Sequence, residues 1–139
     1  MSIQAINQYH NAVHKIFQYS GANHEQAIKD EFKKLINNYC EKRNLLVVSE
    51  IKIKNKDGNT IRPDGIIKNI LNLDCGYWES KANVHLDKEI DLKINAGYPL
   101  NNTLFQDNKT AVLYQDNKLF SKVSIEDVHE LDKLLTQFV

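Results

Sequence analysis

The sequence predicts a mixed α+β fold with elements in the order α α β β β α β β β α. Three observations carry this. Apolar residues recur at three-and-four spacing near both ends of the chain, the helical period. From residue 45 to 82 they fall into strand-like runs separated by turn residues. A short helical pattern at 86–95 then divides one block of strands from another.

The first helix carries Ile3, Ile6, Tyr9, Val13, Ile16 and Phe17 on one face, with Ser2 as N-cap and Gly21 as its stop. A second starts at Asn23, where Gln26 completes a capping-box-like pair. Its stripe is Ala27, Ile28, Phe32, Leu35, Ile36 and Tyr39. It ends near Arg43 and Asn44, where Lys42 and Arg43 suit the negative end of the helix dipole.

Leu45 to Lys54 is expected as the first strand, since Ser49, Ile51 and Ile53 alternate with Glu50, Lys52 and Lys54. Residues 55–59 contain Asp57-Gly58, a strong hairpin signal. Thr60 to Lys68 follows as a strand, with Pro63 breaking its ladder. A third strand runs from Cys75 to Ala82, completing an antiparallel meander.

Leu86, Ile90 and Ile94 make one helical face over 86–95, stopped by Gly97 and Pro99. Short strands are expected at 103–106, 110–115 and 119–123. The tetrapeptide Gln-Asp-Asn-Lys occurs at 106–109 and at 115–118, and both copies read as hairpin turns. Ser124, with Asp127 three residues on, caps a last helix carrying Val128, Leu131, Leu134, Leu135 and Phe138.

The 139 residues fit one domain, and 42% apolar content supports a folded core rather than disorder. The longest aliphatic run is Leu45 to Val48, far short of the roughly 20 residues a membrane helix needs. The first ten residues show no secretory pattern, so a cytoplasmic location is expected. Cys40 and Cys75 are widely separated and read as free thiols in a reducing compartment. Eighteen basic residues balance eighteen acidic ones. A dedicated nucleic-acid binder carries a basic excess, so any grip on DNA or RNA must be a local patch or come from a partner.

The residues that carry chemistry lie on the second and third strands. Glu79 and Lys81 are two apart on a strand and share a face. Asp64, on the neighbouring strand, can be brought beside them. Two carboxylates and an ammonium at one spot suit phosphodiester hydrolysis. Mg²⁺ takes one or two carboxylates with water and phosphate oxygens, and a lysine can orient the attacking water.

Pro63-Asp64, a gap of fourteen residues, and Glu79-Ser80-Lys81 together resemble the PD-(D/E)XK nuclease motif. The element order resembles that superfamily's αβββαβ restriction-endonuclease-like core, with an extra N-terminal helix and a C-terminal helix. The resemblance is closest to nuclease domains at the N-termini of large bacterial restriction-modification enzymes. Their helix start, "PDG" strand and "GYxExK" strand read here as His24-Glu25, Pro63-Asp64-Gly65 and Gly76-Tyr77-Trp78-Glu79-Ser80-Lys81. The likeness spans about residues 20 to 115 of a chain read as a single nuclease-like domain, with its core at about 20–123.

The resemblance implies a Mg²⁺- or Mn²⁺-dependent endonuclease acting on DNA. Asp64 and Glu79 would hold the metal, with the Ser80 carbonyl as a further ligand. Lys81 would position the water, and Glu25 would complete the site. DNA recognition would come from a recognition, methyltransferase or translocase module of the same longer chain or complex, because no base-reading motif is present here. Cutting both strands would call for a dimer or a recruited partner. RNA or branched DNA as substrate, and a non-catalytic DNA-contacting or interaction domain, are the competing readings.

Plainer readings exist for each residue. Asp64 and Glu79 could be exposed strand carboxylates paired with Lys81, worth about 0–1 kcal/mol. Against this, Tyr77 and Trp78 point to a strand buried on both faces, where charges need partners. Glu25 could simply favour a helix dipole. Glu50 is a rival fourth acid. His10 and His14 have the four-residue spacing of a zinc pair but lack further ligands. His85 suits a loop or helix cap. Lys52, Lys54 and Lys56 could track a phosphate backbone or guard an edge strand. The fold that the resemblance implies would place the segment with Tyr98 and Asn102 near substrate.

Overall fold

The computed structural model describes residues 3–20, 25–81 and 85–139. Two helices come first. α1 spans Ile3–Ser20 and α2 spans Glu25–Glu41. Ile28, Phe32, Leu35, Ile36, Tyr39 and Cys40 form the buried stripe of α2, while Ala27 is half-buried. In α1, Ile6 and Tyr9 are buried as expected but Phe17 is exposed. The expected caps Ser2 and Asn23 and the stop Gly21 lie outside the described residues, as does His24. α2 ends at Glu41 rather than at Arg43 or Asn44. The Leu45 amide bonds back to the Cys40 carbonyl, and Asn44 turns the chain at φ 58° in the left-handed region.

A six-stranded sheet follows, in the order β1-β4-β5-β6-β7-β8. β1 (Leu46–Ser49), β4 (Gly65–Lys68) and β5 (Asp74–Ser80) form the antiparallel meander. α3 (Leu86–Asn95) has the predicted bounds. It crosses over so that β6 (Asn102–Gln106) runs parallel to β5. β7 (Thr110–Gln115) and β8 (Lys118–Ser124) add antiparallel strands, and α4 (Val128–Phe138) closes the described chain. β2 (Ile53–Lys54) and β3 (Thr60–Ile61) form a separate two-stranded hairpin.

That hairpin corrects the expectation of two long strands at 45–54 and 60–68. Glu50 adopts φ 57°, a conformation a strand ladder cannot contain, and Pro63 interrupts the return strand. The hairpin tip is as predicted: the Asn55 side chain accepts from the Asp57 and Asn59 amides, and Gly58 sits at φ 81°. The third strand ends at Ser80 instead of Ala82, and Ala82 lies outside the described residues. Ser124 is the last residue of β8, not a helix cap. The cap of α4 is Asp127, whose carboxylate accepts from the Glu130 amide.

The repeated tetrapeptide turns the chain twice by different means. Asp116 and Asn117 both have positive φ, 53° and 63°, the pattern of a type I′ hairpin. At the other copy, the Asp107 carboxylate accepts from the Lys109 and Thr110 amides.

Helices α1, α2 and α4 cover one face of the sheet. Phe32, Trp78, Leu104, Leu113, Leu131 and Leu135 lie in that core. On the opposite face, Leu86, Ile90 and Tyr98 pack with Ile61, Phe105 and Val112. β5 is therefore buried on both sides, with Tyr77 at 9% and Trp78 at 1% exposure. Among the described residues, no helix is long and apolar enough to cross a membrane.

Candidate functional site

β4 and β5 pair so that Gly65 opposes Trp78 and Ile66 opposes Tyr77. Continuing that register by one step sets Asp64 across from Glu79. The Asp64 amide donates to Glu79 Oε1 at 3.1 Å. The Ser80 amide in turn donates to Asp64 Oδ2 at 2.7 Å. Backbone hydrogen bonds thus lock the two carboxylates together at one end of the sheet. Gly65 allows this. A Cβ there would lie 2.8 Å from Trp78 Cε3 and 2.9 Å from Val47 Cγ1, so a side chain would push the strand bearing Asp64 away.

Each carboxylate also has a lysine. Lys29 of α2 reaches Asp64 Oδ1 at 2.5 Å. Lys93 of α3 reaches Glu79 Oε2 at 3.0 Å, and the Tyr98 hydroxyl donates to the same oxygen at 3.2 Å. Lys93 also lies 4.9 Å above the Tyr98 ring. Two adjacent carboxylates repel, and these ammonium groups offset that repulsion from opposite faces of the sheet.

Glu79 is 4% exposed. Burial, with the Asp64 carboxylate beside it, raises its carboxyl pKa above the usual glutamate value, although Lys93 and Lys81 pull the other way. Burial and the Glu79 carboxylate push the Tyr98 phenol up, so Tyr98 stays protonated and acts as a donor.

Asp64 and Glu79 are therefore not exposed strand carboxylates, and their ion pairs are made with Lys29 and Lys93 rather than with Lys81. Lys81 follows β5 with its amide bonded to the Gln106 carbonyl at 2.9 Å. Its half-buried ammonium makes no hydrogen bond or ion pair among the described residues, yet it lies close enough to act electrostatically on Glu79. Glu25 is exposed in the first turn of α2, one helical turn before Lys29, and also makes no such contact among the described residues. Glu50 is exposed and bonded to Arg62 at 3.2 Å. It lines, with Lys29, Asp64 and Trp78, a recess of about 230 Å³.

Other candidates are placed elsewhere. His10 Nε2 is bonded to the Ile125 carbonyl at 2.8 Å. His85 occupies the N-cap position of α3 without a side-chain capping bond. Asn102 is structural, donating to the Cys75 and Phe138 carbonyls. Lys52, Lys54 and Lys56 are exposed around the small hairpin. Cys40 and Cys75 are free, and burial pushes the Cys40 thiol up to about 12. No group of three or more His, Cys, Asp or Glu side chains is set to hold a metal ion among the described residues.

The sequence reading missed Lys29 and Lys93. A signal existed for the first: it follows Glu25 by four residues and so shares its helix face. Gln106 was also missed. It is 1% exposed and accepts from Trp78 Nε1 at 3.0 Å, which satisfies the buried indole beneath the site.

No protein-family model matches the chain, and no curated protein matches it significantly. Among solved structures it is similar to a chain in a cryo-EM structure of a DrdV–DNA complex, with a TM-score of 0.93 and 34% identity. The match covers 98% of this chain and 14% of that one, so the present chain spans about a seventh of its neighbour's length. The mixed α+β architecture matches a restriction-endonuclease-like fold, as expected from the element order.

Proposed function

We propose that the chain is a metal-dependent endonuclease module of the PD-(D/E)XK type that hydrolyses DNA phosphodiester bonds. The observation that carries the reading is the junction of Asp64, just before β4, with Glu79 of β5: two carboxylates held by backbone amides beside Lys81, whose ammonium makes no hydrogen bond or ion pair among the described residues. The likeness to a chain solved in complex with DNA supports DNA as the substrate.

The donor set suits a hard divalent cation. Two carboxylates and the Ser80 carbonyl supply oxygen ligands, within the one or two carboxylates that Mg²⁺ commonly takes from protein. The pair already demands positive charge, which Lys29 and Lys93 provide. A bound Mg²⁺ or Mn²⁺ would polarise the phosphoryl oxygen and acidify a coordinated water. Asp64 and Glu79 would hold it, and Glu25 would complete the site through water or a second ion. Lys81 would orient the attacking water and offset charge developing on the phosphate. Tyr98 would fix the Glu79 carboxylate through its hydrogen bond.

A natural setting follows from the balance of charge. With eighteen acidic and eighteen basic residues, the chain has no net positive charge to attract DNA. It is read as the cytoplasmic cleavage module of a restriction-modification protein or complex, recruited by recognition, methyltransferase or translocase parts, with dimerisation for double-strand cutting.

The test is cleavage of long duplex DNA by this chain with Mn²⁺, alongside Asp64→Ala and Lys81→Ala. Wild-type nicking that EDTA and both substitutions abolish is the expected result. Equal cutting by all three proteins would refute the assignment. RNA and branched DNA in the same assay measure substrate preference.

A further inference from the structure

Asp64 and Glu79 each have one oxygen tied to the backbone. Asp64 Oδ2 accepts from the Ser80 amide, and Glu79 Oε1 accepts from the Asp64 amide. The other two oxygens face side chains. Among the described residues, Glu79 Oε2 has two partners, Lys93 and Tyr98. Asp64 Oδ1 has one, Lys29. That lysine is a quarter exposed, at 25%, on a flexible four-carbon stem. It borders the recess of about 230 Å³ that also holds Gln26, Ser49 and Glu50, so its ammonium has somewhere to go.

We propose that Lys29 is a place-holding cation: its ammonium occupies the cation position on Asp64 Oδ1 in the metal-free protein and is displaced when a divalent ion binds. This deepens the nuclease reading and rests on it. Mg²⁺ binds carboxylate oxygens at about 2.0–2.1 Å. A divalent ion at that distance and an ammonium on the same oxygen repel each other strongly, because the recess is only partly open to water. Lys29 therefore competes with the metal. It keeps the acidic pair from splaying apart before loading, and it weakens affinity for metal until a phosphate oxygen adds its own ligand. Lys29 is thus a positioning residue for Asp64 whose signature lies in metal affinity.

The experiment measures Mn²⁺ affinity of the 139-residue chain by calorimetry, without DNA, for the wild type, Lys29→Gln, Lys29→Arg, Lys33→Gln and Asp64→Asn. Lys33 lines the same recess and makes no ion pair among the described residues, so it controls for the general loss of a positive charge. Lys29→Gln is expected to bind Mn²⁺ at least about fivefold more tightly, while Lys33→Gln changes affinity less than about twofold, the scale of a surface charge change. Lys29→Arg, which keeps the cation, is expected to stay near wild type. Thermal melts verify that each variant is folded. Equal tightening by Lys29→Gln and Lys33→Gln, or weaker binding by Lys29→Gln, would overturn the place-holder. If neither the wild type nor Lys29→Gln binds Mn²⁺, or if the wild type binds it and Asp64→Asn binds it equally well, the metal-site reading itself fails. Binding seen only in Lys29→Gln is the strongest form of support.

Discussion

Two of the hollows among the described residues differ in kind. One, of about 650 Å³, lies where α1 crosses the end of the sheet and is lined by His10, His14, Phe17, His85, Asp107 and Lys109 among others. The other is the recess of about 230 Å³ at Asp64. The larger one has polar groups already committed to structure: His10 to the Ile125 carbonyl, Asp107 to the amides of its own turn. The smaller one collects charge from separate elements, with Lys29 from α2, Glu50 from the β1–β2 connection and Asp64 from the start of β4. Volume records how helices and sheet fail to fill space. Chemistry is marked by charges brought together against their own repulsion, as at Asp64 and Glu79.

The sharpest way to break this comparison is to assay both hollows in the same cleavage reaction. Loss of Lys81 or Asp64 is expected to lower Mn²⁺-dependent nicking by about a hundredfold or more, the scale for removing a group that acts on the transition state. His14→Ala and Phe17→Ala, in the large hollow, should leave it within about twofold, as for exposed substitutions remote from the reacting atoms. The reverse ranking in a gel-based nicking assay would move the site to the large hollow.

The floor of the recess offers a second test, now on stability. Gly65→Ala puts a methyl group within 3 Å of the Trp78 ring and Val47. Overpacking of this sort costs about 1–3 kcal/mol, readable as a lower urea midpoint. The variant should also lose activity beyond its loss of folded protein, because the displaced strand carries Asp64. An unchanged midpoint would mean that the strand gives way freely, and that glycine after Asp64 is not needed to seat the carboxylate.

Much of the surroundings of Asp64 and Glu79 was legible in the sequence, and the reason is local. Tyr77 and Trp78 on a β-rich run announce a strand buried on both faces, so the charges at Glu79 and Lys81 had to be accounted for. Leu86, Ile90 and Ile94 followed by Gly97 gave α3 its bounds. The break at Glu50 was not legible, because positive φ at a glutamate has no composition signal; it is imposed by the need to bring the Glu50 amide to the Asp64 carbonyl, 3.3 Å away. Lys93 was not legible as a partner, and Lys29 only as a residue sharing the helix face of Glu25. Their pairing is set by how α2 and α3 lie on opposite faces of the sheet, which is tertiary information.

A smaller effect separates the two rival fourth acids. Glu25 precedes Lys29 by one turn and is free among the described residues, whereas Glu50 is already bound to Arg62 and contacts the recess. If Glu25 completes the metal site, Glu25→Gln lowers nicking by about tenfold, equivalent to about 1.4 kcal/mol, and Glu50→Gln leaves it nearly unchanged. The opposite result would transfer the role to Glu50 and tie metal loading to the mouth of the recess. Initial rates over a Mn²⁺ titration distinguish weaker metal binding from a slower step.

The gentlest prediction concerns pH, and its sign follows from Glu79. Its carboxyl pKa is raised in the folded protein by burial and by Asp64, above the ordinary value of 4.5. The folded state therefore keeps this proton after the unfolded chain has lost it. As pH rises from 4.5 towards the raised value, the folded state binds more protons than the unfolded one, so Glu79's contribution to stability falls, by at most about 1.4 kcal/mol for each pH unit crossed. Glu79→Gln carries no such proton. Urea unfolding of both proteins across that range should show the wild type losing stability relative to Glu79→Gln as pH rises. Parallel curves would mean that Lys93 and Lys81 fully neutralise the burial of Glu79. Glu79 would then sit in a settled ion pair, with no unmet demand for a further cation.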